Sequence, residues 1–582
     1  MTRLFRRFRK PPRTRPPARA RLVVEPLEDR AVPASSFLVT TLADETNPND
    51  GLQSLREAVA AANSDPDVNV ITFAASLSGT ITLTGGELLV NQPATIQGPG
   101  AGVITASGGD ASRIFNIDNG AIGAINVSIS GLTLTRGNAG NDSGGAIAVG
   151  DEALALSGVD ITGNTANFGG GIYLAGGLLT LENCTVSGSR APGSGGGLFL
   201  DSNTTTVVRS STVSGNDATG GEGGGIFASV GASLAVENST IAGNRAGLGG
   251  GIGIENGTLV IRNSTVSGNS AVGEGGGVFS LNADLSPSTT VENTTISGNA
   301  AGSDGGGIFL SKGTTRVRNT TVAFNRADND NTGGGNGGGI AADGVTAVRL
   351  QSTLVGDNAA GTTGTGPDIS GTLVATNSLI GNTAGTLFVE AFDSDILGMD
   401  PLLGPLQFNG GPTKTHALLA GSPAINHGAN PGGLSTDQRG SGFRRAAGAG
   451  VDIGAFEVQS PLPPTTQALQ AAAQIIRMLQ PSGVRLAAAA FADLNGDFAS
   501  DFFFALKLKS GRLLVVTLNG TDGHVLGAFA PFPAKLQASA HVRLLTADLN
   551  GDEVPEVALV ISNGGIGVPR LSAFTVTGRR LL

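Results

Sequence analysis

The 582-residue chain is predicted to be all-β, a right-handed parallel β-helix followed by a smaller C-terminal β module, and three observations carry that prediction. Gly accounts for 92 residues, about 16% where an ordinary protein has about 7%. A Gly-Gly-Gly-[Ile/Val/Leu] element recurs with its third glycine at Gly171, Gly197, Gly225, Gly251, Gly277, Gly307 and Gly339, after the variant Gly144-Gly145-Ala146-Ile147, in steps of 25 to 32 residues. Each step holds about three short runs of alternating apolar and polar residues, none long enough for a helix. A unit that small cannot bury its own apolar face, so copies must stack in parallel, one coil per repeat at ~4.8 Å. Roughly fourteen coils over residues 36–400 would make a rod of about 65 Å.

Residues 1–35 stand apart. The first thirty carry ten Lys or Arg against three Asp or Glu, so the formal −10 divides into +7 there and −17 over the rest. Arg and Pro interleave, which breaks any helix, and the apolar stretch of an ordinary signal peptide is missing. An acidic body this poor in Lys is a bad nucleic-acid binder, because phosphate affinity needs clustered positive charge. No run of 18 uncharged apolar residues occurs, which argues against a transmembrane helix. One Cys, Cys184, rules out an intrachain disulfide.

In residues 36–79, Leu55, Val59 and Ala62 lie at helical spacing, and a short amphipathic helix over the first coil would hide an open β edge. Residues 80–399 are the repeats. Asn164, Asn216, Asn244, Asn269, Asn299, Asn325 and Asn358 share one repeat position, interrupted by Ser189, and predict a ladder of amides bonded from coil to coil. A second column, Asn183, Asn238, Asn263, Asn293 and Asn319, opens Asn-x-Thr triplets and reads as a turn ladder in preference to glycosylation sites. Just before it, Glu182, Arg209, Glu237, Arg262, Glu292 and Arg318 alternate in sign, which favours one register because like charges opposite each other destabilise paired strands. The glycines are needed at corners, with φ > 0 and little room beside the next coil. Residues 328–339, the largest insertion before a corner, read as an exposed polar loop, with Asp328 and Asp330 as a weaker cation candidate.

Five parts of the chain resemble known families, four of them before residue 458. Leu22–Ala34 is similar to the Leu-Glu-Asp-Arg tag of large bacterial surface proteins, which implies export. Residues 38–63, with Ser54-Leu55-Arg56-Glu57-Ala58 at their centre and Gln53 where the family has Cys, resemble the CSLREA-type domain of surface β-helices. The glycine repeats look like those of polymorphic outer-membrane and pectate-lyase-like proteins. Residues 400–457 resemble the choice-of-anchor Q module, through Asn409-Gly410-Gly411-Pro412-Thr413, Thr415-His416-Ala417-Leu418, Asp437-Gln438-Arg439-Gly440 and Asp452-Ile453-Gly454-Ala455-Phe456-Glu457; this implies a surface protein and a module that closes the β-helix. His416, Asp437, Arg439 and Asp452 have catalytic residue types, but the Pro and Gly around them suggest hydrogen-bonded turns.

A Pro-bounded linker, residues 458–484, holds a short helix predicted over 467–479. In residues 485–582, Ala-Asp-Leu-Asn-Gly-Asp recurs 55 residues apart. Both copies resemble FG-GAP or VCBS repeats, which build propeller blades around a calcium loop. The resemblance assigns Asp493, Asn495, Asp497 and Asp501, then Asp548, Asn550, Asp552 and Glu556, as Ca²⁺ ligands, with Phe498 and Glu553 where the family has glycine. Oxygen-only ligands suit that hard cation.

The function these features favour is a non-catalytic secreted or cell-surface protein, adhesive or ligand-binding toward glycans or cell surfaces. Its alternatives are a structural envelope protein and a polysaccharide lyase or hydrolase. Between residues 11 and 413 the one Lys is Lys312, and no His precedes His416. With no Trp and one Tyr, Tyr173, there is little from which to build a sugar-stacking platform. No catalytic constellation is expected in the solenoid, and a depolymerase activity lost on replacing Asp160, Asp201 or Lys312 by Ala would overturn that expectation.

Overall fold

The computed structural model describes residues 35–459, apart from 48, 122, 283–287, 344–347, 391–393, 420 and 448–449, together with 484–492, 501–519, 523–531, 540–547, 556–563 and 570–574. The basic N-terminal segment and the linker helix predicted at 467–479 lie outside the described residues.

From Ser36 to Leu397 the chain is a right-handed parallel β-helix with three main faces. One face is built of five-residue strands such as Leu178–Glu182, Thr205–Arg209 and Ser233–Glu237. A corner later comes a lateral face of three-residue strands, Thr185–Ser187, Thr212–Ser214 and Thr240–Ala242 among them. After the glycine corner follows a third face, with Ile172–Leu174, Leu198–Leu200 and Ile226–Ala228. The lateral face is a 13-stranded sheet; the other two form one 24-stranded sheet because Ile369–Thr376 runs through a corner and pairs on both. Thirteen strands at ~4.8 Å give about 60 Å, close to the expected length. Inward residues are fully buried Ile, Leu and Val in every coil, for example Ile226, Val236 and Ile241.

The parallel ladder already begins at Ser36–Val39, which pairs with Asn69–Phe73, so the 36–79 segment carries the first coil as well as the cap. The cap is the helix Leu55–Asn63, burying Leu55, Ala58, Val59 and Ala62. Ser54 and Glu57 form a reciprocal capping box. Arg56 pairs with Asp44 at 2.8 Å and also donates to the Gly86 carbonyl at 2.6 Å.

The Asn ladder forms as predicted. Asn216, Asn244, Asn269, Asn299 and Asn325 each donate Nδ2 to Oδ1 of the next coil's Asn at 2.9 Å. Each of these amides also donates to a carbonyl one coil back, and each Oδ1 from Asn244 onward accepts the preceding Asn backbone N–H as well. Asp368 ends the run, accepting from Asn358 Nδ2 at 2.9 Å. A terminal residue needs only to accept, and a carboxylate does only that. The second Asn column sits at left-handed corners, φ 44° to 53° at Asn183, Asn238, Asn263, Asn293 and Asn319. Beside it runs a hydroxyl ladder that the triplets concealed: Ser211, Ser239 and Ser264 each accept the backbone N–H of the coil before at 3.0–3.1 Å.

The glycine corner divides its labour. In each triplet the first glycine has φ > 0, as at Gly275 (69°), while the second and third are needed for space. A Cβ on Gly276 would lie 2.4 Å from the Gly306 carbonyl oxygen. The alternating charges do pair in register, Glu182 with Arg209 through to Glu292 with Arg318. Arg209 reaches Glu237 at 2.8 Å and Glu182 at 3.7 Å, and Arg262 reaches Glu292 at 3.1 Å; Arg318 turns to Gln351 instead.

Residues 400–457 correct one expectation. They do not close the end of the solenoid but fold back along its lateral face, because that face presents hydroxyls and amides that an irregular, turn-rich chain can satisfy. Thr265 Oγ1 donates to the Lys414 carbonyl (2.6 Å), Gln438 bridges Thr265 and Thr295 (3.0 and 2.6 Å), and the Ala455 N–H donates to Thr321 Oγ1 (3.0 Å). Leu354, Leu379, Leu418, Ala424 and Ile453 make a small core between the two.

The C-terminal region holds two antiparallel sheets, Arg485–Ala492, Asp501–Lys507, Leu513–Leu518 and Val525–Phe529, then Ala540–Ala547, Glu556–Asn563 and Arg570–Phe574. They share one core, Phe503, Leu513 and Val515 meeting Leu544, Val557 and Leu559.

Candidate functional site

The residues with catalytic side chains at 416–452 are structural. His416 Nδ1 lies 2.7 Å from the Gly404 carbonyl and Nε2 lies 2.8 Å from Ser297 Oγ. A carbonyl only accepts, so Nδ1 carries the proton and Nε2 accepts from Ser297. Burial pushes the imidazole pKa down and keeps this neutral tautomer. Arg439 is sandwiched between Phe443 and Phe456, 3.9 and 3.8 Å from the ring centroids, and paired with Asp437 at 2.6 Å. Asp452 accepts the backbone N–H groups of Asn426 and Val458. Asp437 and Arg439 share a hydrogen-bonded turn closed by the Gly440 N–H on the Asp437 carbonyl, as the surrounding Pro and Gly implied, and Asp452 lies in an irregular stretch, whereas His416 stands in the strand Thr415–Leu418.

Asp160, Asp201 and Lys312 do not converge. Asp160 opens a lateral strand, Asp201 follows a strand of the glycine-led face and accepts from the Tyr173 hydroxyl at 2.7 Å, and Lys312 occupies a left-handed corner several coils away. Asp328 is buried and accepts the Gly333 N–H at 2.8 Å, and Asp330 accepts from Thr332, so both hold the 328–339 loop. Of the predicted calcium ligands, Asp493, Asn495, Asp497, Asp548, Asn550 and Asp552 lie outside the described residues. Asp501 and Glu556 are described: each begins the second strand of its sheet, opposite Ala492 and Ala547, so each motif spans a strand-to-strand connection. Asp501 is fully buried there.

Composition missed the aromatic row. The second residue after each glycine triplet points outward, and in register these are Tyr173, Phe199, Phe227, Gly253, Phe279 and Phe309. Tyr173 stacks on Phe199 at 5.4 Å between centroids and Phe279 on Phe309 at 5.5 Å, while Phe199 and Phe227 lie 5.1 Å apart with their rings tilted at 42°. Phe168, 36% exposed, packs its ring at 62° to that of Phe199. The Gly-Gly-Gly-x-[Phe/Tyr] spacing would have shown this row; counting aromatics over the whole chain diluted it.

Although they point outward, Phe227, Phe279 and Phe309 are at most 6% exposed. They are covered by the short extended segments that precede the glycine corners, Leu248 of Arg245–Leu248 packing on Phe279 and Phe309. Tyr173 and Phe199, with Phe168 beside them, keep part of their surface, and this stretch of the glycine-led face is the candidate trough. At the break in the row, the Cβ of Glu222 stands 3.4 Å from where a Gly253 Cβ would be, and its Oε2 is buried without a hydrogen-bond partner. Burial, then the nearby Glu255, push the Glu222 carboxyl up to about 7. Burial, then Asp304 and Asp343, raise that of Glu274. The carboxyls thus form two interacting sets, Glu222 with Glu255 and Glu274 with Asp304 and Asp343. A carboxyl held near 7 both donates and accepts hydrogen bonds at neutral pH.

This has a consequence for stability. The folded chain favours the protonated form of Glu222, so the stabilisation is complete below about pH 4.5 and is lost as pH rises through about 7. Because the group keeps some solvent, the loss is about 1 kcal/mol. Thermal unfolding of Glu222→Gln should show a smaller fall between pH 5 and pH 8 than the parent; parallel curves would contradict the assignment.

Residues 104–284 match the family described as the right-handed β-helix region. The match is to the fold. No curated protein matches the chain. Among solved structures, the crystal structure of pectate lyase Pel9A is similar over 74% of this chain and 98% of that one, at 16% identity and a TM-score of 0.37, a distance at which it says nothing about chemistry.

Proposed function

We propose that the protein is a secreted or cell-surface β-helix that binds a glycan without cleaving it, in the trough on the glycine-led face. The observation that carries this reading is the pair of accessible rings Tyr173 and Phe199, 5.4 Å apart, with two sets of interacting carboxyls, Glu222 with Glu255 and Glu274 with Asp304 and Asp343, in the coils that follow. A periodic trough suits a polymer, and its acidic rim repels polyanions and favours neutral or amino-bearing sugars. Export and surface location rest on the resemblances at Leu22–Ala34 and 400–457. Screening the full chain against immobilised glycans should give hits among neutral and amino-bearing chains that weaken at least tenfold in a Tyr173→Ala, Phe199→Ala double variant. Retention of a polyuronate alone would sink the reading.

A hydrolase is the second reading, favoured by the Glu222 carboxyl held near 7, a value suited to a general acid. The two differ in whether the glycan chain is shortened.

We further propose that the loops with Asp493, Asn495, Asp497 and Asp501, and Asp548, Asn550, Asp552 and Glu556, each bind Ca²⁺ and stiffen the two C-terminal sheets. Calorimetric titration of the full chain should register heat at millimolar Ca²⁺ that is reduced in Asp497→Ala and Asp552→Ala; no heat leaves the loops as turns.

A further inference from the structure

The lateral face of the solenoid is only partly occupied. Along the coils bearing Thr265, Thr295 and Thr321 its hydroxyls are taken by residues 413–455, as described above. The amides of the neighbouring corner column are taken too: Asn293 donates to the Thr436 carbonyl at 3.3 Å and Asn319 to the Ala429 carbonyl at 2.8 Å. Thr185, Thr212, Thr240 and Thr265 pair in strict register. Yet Thr185, Thr212 and Thr240 are half-buried, and neither their hydroxyls nor the amides of Asn183 and Asn238 have a hydrogen-bond partner among the described residues. Where the covered part stops, at Gly410, Pro412 and Arg439–Ser441, four of these groups, on Thr212, Thr240, Asn183 and Asn238, border a cleft of about 630 Å³.

We propose that this cleft docks an extended polypeptide segment of a partner protein, as a continuation of the interface that the chain's own 400–457 segment makes with the same row. The occupied half shows what the row recognises. Backbone carbonyls of Lys414, Thr436 and Ala429 accept from it, the Ala455 N–H donates to it, and one side-chain amide, Gln438, spans two coils. Lys414 meets the coil of Thr265, and His416 meets Ser297 in the next. Ser297 stands two residues along its strand from the row residue Thr295, so residues 414–416 cross the face obliquely, and an extended segment in the cleft is expected to follow the same direction. The cleft lining contains no carboxylate, and its one cation, Arg439, is neutralised by Asp437, so recognition is by neutral hydrogen bonding. This surface lies on a different face from the aromatic trough.

The test uses the full chain and a fluorescein-labelled peptide with the sequence of residues 411–418, Gly-Pro-Thr-Lys-Thr-His-Ala-Leu, read by anisotropy, with cellohexaose as competitor. Saturable binding is expected, at least tenfold weaker in the Thr212→Val, Thr240→Val double variant and unchanged in Thr162→Val, which lies on the same face outside the cleft. Asn238→Gly, which keeps the left-handed corner available, should also weaken it with the melting temperature preserved. The proposal is overturned by a peptide that fails to bind at millimolar concentration, by equal binding to the double variant, or by displacement at lower cellohexaose than peptide concentration, which would assign the cleft to a glycan.

Discussion

Replacing Asn269 by Ala is expected to destabilise the solenoid by about 3–5 kcal/mol, far beyond an ordinary polar substitution. Its Oδ1 accepts both the Asn244 backbone N–H (3.0 Å) and Asn244 Nδ2 (2.9 Å), and its Nδ2 donates to the Ile241 carbonyl (3.0 Å) and to Asn299 Oδ1 (2.9 Å). Removal leaves the buried Asn244 backbone N–H without a partner and takes one bond each from Asn244 Nδ2, which keeps the Val213 carbonyl, and from the Ile241 carbonyl; each such loss in a buried corner costs about 1–3 kcal/mol. Asn269 itself is 1% exposed, so solvent cannot step in without opening the corner. Asn238→Gly is the control, since that side chain makes no hydrogen bond among the described residues and its φ of 50° suits glycine; a change within about 0.5 kcal/mol is expected. Because solenoid stability is largely a sum over neighbouring coils, hydrogen exchange across residues 240–300 should rise before the rest of the rod responds. Comparable effects from the two variants would mean the first Asn column is no more than a turn signal.

Gly276→Ala should be at least as damaging, at about 4 kcal/mol or more. The added Cβ would lie 2.4 Å from the Gly306 carbonyl oxygen and 2.5 Å from the Ala300 carbonyl carbon and oxygen. All three are backbone atoms of the next coil, held by the ladder that joins the Gly276 N–H to the Gly305 carbonyl at 3.1 Å. The coils must separate locally to relieve the contact, and separating them breaks several ladder bonds and thins the Ile and Val core beneath. Gly268→Ala makes the contrast: its φ is 63° and a Cβ would meet nothing within 4 Å, so only the left-handed penalty of about 1–2 kcal/mol applies. Melting temperatures of the two variants separate steric crowding from backbone conformation. If Gly268→Ala proved the worse of the two, φ and not inter-coil space would govern the corner.

The fold was legible because every coil repeats its instructions. Gly-Gly-Gly, the Asn column and the alternating charges each recur at one coil position, and stacking turns a repeated position into a ladder. The candidate trough was legible only in part. Its rings stand at a fixed offset from the glycines, but Glu222 matters because Gly253 vacates the space beside it one coil later, and neither residue is unusual alone. The path of residues 400–457 was not legible at all. Gln438 bridges Thr265 and Thr295 from far along the sequence, and no local pattern encodes a contact between irregular turns and the side of a rod.

The reading of the trough as a binding surface that spares its ligand is tested most directly by size-exclusion chromatography of the full chain with fluorescent hexasaccharides, which reports capture and cleavage together. Neutral or amino-bearing hexamers are predicted to co-elute with the protein at their original length, while hexagalacturonate elutes free. Co-elution of hexagalacturonate, or the appearance of shorter fragments of any hexamer, would contradict it.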